Sequence, residues 1–189
     1  MIDLVGDDPS LSTLPSDLLG LYSMVVSAGW PNAPDEVKRE QQDRMAAAAW
    51  HMVSDRMPNE DKRRLDGLET SLLESLADAP ERNARPVRLV RRRAAAFEFV
   101  HDQMHAYMAA RWFAQDGFEV EQLERMIAES KIWSDTKSAR EVLWTFASAL
   151  LDDDRLLSLW VRVDDNDDWN VLRLALKKEA ERRGLQFPY

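Results

Sequence analysis

Between Pro86 and Gln115 the chain runs for about thirty residues with no glycine, and no proline after the first position. One stripe, Val90, Ala94, Phe97, His101, Met104, Met108 and Trp112, steps by three or four, the spacing that stacks side chains on one face of a helix. A second stripe, Ala96, Val100, Tyr107, Ala110 and Phe113, lies on another face. A helix that is apolar on two faces has to be covered on two sides. The stretch therefore reads as the long central helix, about 86–115, of a bundle. Only its first turns look wet, with Arg88, Arg91, Arg92 and Arg93.

Composition supports an all-α class. Six Gly and eight Pro in 189 residues are too few for a turn-rich β-sandwich. β-Branched residues are sparse, and Ala, Leu, Glu, Arg and Asp dominate. Seven Trp and eight Met argue against disorder. The expected architecture is a single-domain helical bundle, 1–189, of about seven or eight helices.

Local signals divide the chain further. Residues 1–12 read as an acidic arm bearing Asp3, Asp7 and Asp8, and the first cation of the chain is Lys38. A helix opening near Pro15 has Leu18, Leu21, Tyr22, Val25 and Val26 as its apolar face and Gly29 as its stop. A second helix, ending at Pro58, buries Val37, Met45, Ala48, Ala49, Met52 and Val53. Its Ala46–Ala49 run suits close approach of a neighbour. Leu65, Leu68, Leu72, Leu73 and Leu76 form a narrow seam that can bury against its own domain or against a second copy. Beyond Asp116-Gly117, a short helix carries Val120, Leu123, Met126 and Ile127, and another, capped by Ser134 or Asp135, carries Leu143, Phe146 and Ala147. Leu156–Val163 fits either helix or strand, and helix is favoured because no convincing strand exists to pair with it. Asp164–Asp168 is placed to cap a last helix, Gly184-Leu185 to end it, and 185–189 to form a tail.

The absence of Cys excludes disulfides, thiolate metal sites and a cysteine nucleophile. The opening MIDLVGDDPS has neither a basic region nor a long apolar run, so it does not read as a secretion signal. No apolar run approaches the length of a membrane span. A cytoplasmic protein, bacterial or carried on a mobile element, is the expectation. A net charge of −9 repels nucleic-acid phosphates and attracts basic proteins.

Three clusters carry candidate chemistry. Seven aspartates, Asp152, Asp153, Asp154, Asp164, Asp165, Asp167 and Asp168, crowd two short stretches. Helix capping accounts for two or three of them. The surplus suits docking on a basic partner. Asp164, Asn166 and Asp168 alternate like the start of a calcium loop, but Trp169 and Ala175 stand where that loop needs Gly and Glu. The second cluster is basic: Arg82, Arg85, Arg88, Arg91, Arg92 and Arg93, with Arg85, Arg88 and Arg92 on one helical face where they could grip phosphate. The third is His101-Asp102-Gln103-Met104-His105, which resembles the HExxH signature of zinc peptidases with Asp in place of Glu. That resemblance implies His101, His105 and Glu124 as ligands and Asp102 as base.

No phosphate loop, nucleophile elbow or dinucleotide fingerprint is present. The leading expectation is a non-catalytic acidic protein-binding module of inhibitor or immunity type, without a cofactor or metal. A zinc hydrolase and a nucleic-acid regulator using the arginine patch are the alternatives.

Overall fold

A computed structural model describes residues 18–28, 34–54, 89–93, 96–129, 137–163 and 169–187. Seven α-helices fall within them: α1 (Leu18–Ala28), α2 (Asp35–Ser54), α3 (Asp102–Phe113), α4 (Val120–Glu129), α5 (Lys137–Leu150), α6 (Asp153–Val163) and α7 (Asn170–Arg183). Two short strands, β1 (Val90–Arg93) and β2 (Ala96–Phe99), form an antiparallel hairpin. The protein is an all-α helical bundle carrying this one hairpin among the described residues.

The bundle is organised around α3, which is covered on all sides. Met104 through Ala110 are buried without interruption, as is Phe113. α2 packs on one side of α3 and α5 on another, while α7 packs on α5, α6 on α7 and α4 on α6. Tyr22 of α1 stacks on Tyr107 of α3 at 5.6 Å and meets Phe146 of α5 edge-on at 5.3 Å. At the other end of α3, Phe113 lies between Trp50 of α2 and Trp144 of α5, at 5.5 and 5.4 Å. Such offset and edge-on ring pairs add specific geometry to the apolar burial. Buried residues from α1 through α7 belong to one cluster.

The central helix is shorter than the sequence suggests. Residues 90–99, expected as its first turns, are the hairpin instead. Val90 faces Phe99, Arg91 faces Glu98, Arg92 faces Phe97 and Arg93 faces Ala96. Three of these cross-strand pairs have a visible physical basis. Val90 and Phe99 are both buried. Arg91 donates from Nε to Glu98 at 2.6 Å, and the Arg92 guanidinium lies 5.8 Å from the Phe97 ring centre. The Val100 N–H extends the ladder to the Leu89 carbonyl at 3.1 Å. His101, at φ −136° and ψ 143°, is extended and marks the break between β2 and α3.

Other expectations fare unevenly. α6 is helical, with Leu156, Leu159 and Val163 buried. α2 buries Met45, Ala46, Ala49, Trp50 and Val53, while Val37 is exposed. Leu18 is exposed where α1 was expected to bury it. α7 ends as its sequence indicates: Gly184 adopts the left-handed region at φ 71°, and the Leu185 N–H returns to the Ala180 carbonyl at 2.9 Å. Its start differs, because the N-cap is Trp169 and no side chain caps it there. The acidic arm, the Leu65–Leu76 seam and the caps at Ser134 and Asp135 lie outside the described residues. No described helix is long and apolar enough to cross a membrane.

Candidate functional site

The acidic clusters have two fates. Asp164, Asp165, Asp167 and Asp168 lie outside the described residues. Asp152, Asp153 and Asp154 sit where α5 hands over to α6. Asp152 is the N-cap of α6: its carbonyl accepts the Leu156 N–H at 3.0 Å, and its Oδ1 accepts the Arg155 N–H at 2.9 Å. Its Oδ2 pairs with Nε of Arg155. The backbone bond from Arg155 is the main reason its carboxyl is held below the usual range; slight burial opposes this, and the Arg155 side chain adds to it. Asp153 pairs with Arg183 at 2.7 Å. Asp154 is exposed in the first turn, where the positive end of the helix dipole favours its charge.

The structure adds residues that spacing in the sequence did not bring together. Arg155 reaches across to the C-terminus of α3, donating from Nη1 to the Gln115 carbonyl at 2.9 Å and from Nη2 to the Ala114 carbonyl at 3.1 Å. These carbonyls follow the last turn of α3, where helical partners run out; that of Gln115 also takes a long bond from the Phe118 N–H at 3.4 Å. The same guanidinium lies 3.6 Å from Asp116. Asp116 and Asp152 thus share one arginine, and Asp153 and Asp154 follow Asp152 directly in the chain.

Arg183 closes the other side. Its Nη1 donates to the Leu151 carbonyl at 2.8 Å and to Asp153 at 2.7 Å. Its Nη2 donates to the Ser148 and Ala149 carbonyls at 3.2 and 3.0 Å. Nε donates to Glu179 at 2.7 Å. Every N–H of the guanidinium has an acceptor, and the C-terminus of α5 is capped from α7. Burial alone would lift the Glu179 carboxyl, but bonds from Arg182 and Arg183 outweigh it and hold the group below its ordinary range. Burial likewise works against the Arg183 charge, and Asp153 and Glu179 overcome it, raising its pKa.

Exposure decides the sign this corner shows to solvent. The side chains of Arg155 and Arg183 are 15% and 17% exposed, against 54% for Asp152, 56% for Asp153 and 107% for Asp116. Arg155 and Arg183 are covered, while Asp116, Asp152 and Asp153 face outward; Arg182, which also pairs with Glu179, is an exposed cation nearby.

The basic patch is not the helical face its spacing implies. Arg92 is on a strand, exposed beside Phe97, and Arg85 and Arg88 lie outside the described residues. Arg91 is bonded to Glu98, which is itself buried.

The paired histidines also part company. His101 is exposed at the break before α3, although its position in the apolar stripe suggested a core residue. His105 is the core histidine: it is buried, its Nε2–H donates to the Ala49 carbonyl at 2.9 Å, and its ring stacks on Phe99 at 5.1 Å and 7°. The small side chain of Ala49 leaves its carbonyl open to that approach. Glu124 pairs with Arg162 at 2.9 Å, and Glu121 pairs with the same guanidinium. Among the described residues no three or more His, Asp or Glu side chains are grouped so as to hold a metal ion.

No protein-family model matches the chain, and neither the comparison with curated proteins nor that with solved structures returned a match.

Proposed function

We propose that this protein is a non-catalytic, acidic protein-binding module of inhibitor or immunity type that docks on a protein with a basic surface, such as nucleic-acid-handling machinery. One observation carries the reading: Asp116 shares Arg155 with Asp152, the first of the Asp152–Asp154 run, and both Arg155 and Arg183 are covered by their own carbonyl and carboxylate partners. A net charge of −9 reinforces the attraction at longer range. Asp116 and Asp154 are the contact residues in this reading, because Asp152 and Asp153 are already committed to the fold. Asp164, Asp165, Asp167 and Asp168, which lie outside the described residues, are further contact residues in this reading.

Affinity capture from the native host, run at low and at physiological salt, tests the proposal. The retained partner is expected to be basic. Its affinity should fall about tenfold or more as ionic strength rises, because opposite charges across a solvated interface are screened. Affinity indifferent to salt, or unchanged in a chain carrying Asp164→Lys with Asp167→Lys as well as Asp154→Lys, overturns it.

A further inference from the structure

We draw no further inference here: the strongest candidate, the exposed apolar side chains Val161 and Leu174 on the packed helices α6 and α7, is a surface feature for which nothing in the structure shows what covers it.

Discussion

Arg155 and Arg183 do the same job at two places, and their surroundings differ. Each leaves its own helix to cap the C-terminus of another, Arg155 that of α3 and Arg183 that of α5. Around Arg183 the acceptors are close and numerous, and one of them, Glu179, is buried. Around Arg155 one carboxylate is an exposed helix cap and the other, Asp116, is a fully exposed side chain at 3.6 Å. The first arrangement joins a buried carboxylate and the half-exposed Asp153, and holds helices together. The second holds a helix end too, and its carboxylates are exposed to solvent. A shared chemistry of arginine, carbonyl and carboxylate thus surrounds a buried carboxylate in one place and a fully exposed one in the other.

The largest effect that separates the two should come from Arg183→Ala. It strands three carbonyls and leaves the buried Glu179 carboxylate with Arg182 alone, so a loss of about 2–3 kcal/mol is expected in urea denaturation. Arg183→Lys should recover only part, since an ammonium cannot reproduce the planar fork. Arg155→Ala should cost less, about 1–2 kcal/mol, because fewer enclosed groups lose a partner. Equal losses at both sites would erase the distinction.

Acid should act on both sites in the same direction. Asp152 and Glu179 have lowered pKa values in the folded chain. A lowered carboxyl contributes stability that is complete above its unfolded value and disappears as pH falls through the folded one. Thermal stability should therefore hold at neutral pH and decline below about pH 4. Glu179→Gln should flatten that decline, as seen in melting curves recorded from pH 7 to pH 2.5. An unchanged acid limb would remove Glu179 from the account.

The smallest stability effect belongs to the residues assigned to docking. Asp116→Lys should stay within about 0.5 kcal/mol of the wild type, the range of ordinary surface substitutions, and Asp154→Lys within about 1 kcal/mol, the excess coming from the helix dipole. A larger loss would place them in the scaffold alongside Asp152.

How far these features can be read from sequence depends on how local they are. The Gly184-Leu185 end of α7 and the Asp152 cap of α6 lie within one turn of the residues they serve, so neighbouring residues announce them. The burial of α3 follows from its two apolar stripes. The hairpin defeats that logic. Val90 and Phe97 are seven apart, a helical spacing, while only Phe97 and Phe99 keep the two-residue step of a strand, and Ala94-Ala95 lacks the Gly or Asn that usually signals a tight turn. With His101 extended, the apparent run of thirty residues splits in two. The arginine caps escape for a different reason. Arg183 meets carbonyls 32 to 35 residues away and Arg155 meets others 40 and 41 away. No periodicity in the chain records such distances, so Asp116 could not be grouped with Asp152 before the fold was known.

The most direct measurement is the dissociation constant of the captured basic partner for the Asp116→Lys, Asp154→Lys double variant, with its melting temperature taken in parallel. Partner affinity should drop at least about tenfold, roughly 1.4 kcal/mol, while the melting temperature stays close to that of the wild type. Wild-type affinity in a folded double variant would contradict the claim that this outward-facing corner is where the protein meets its partner.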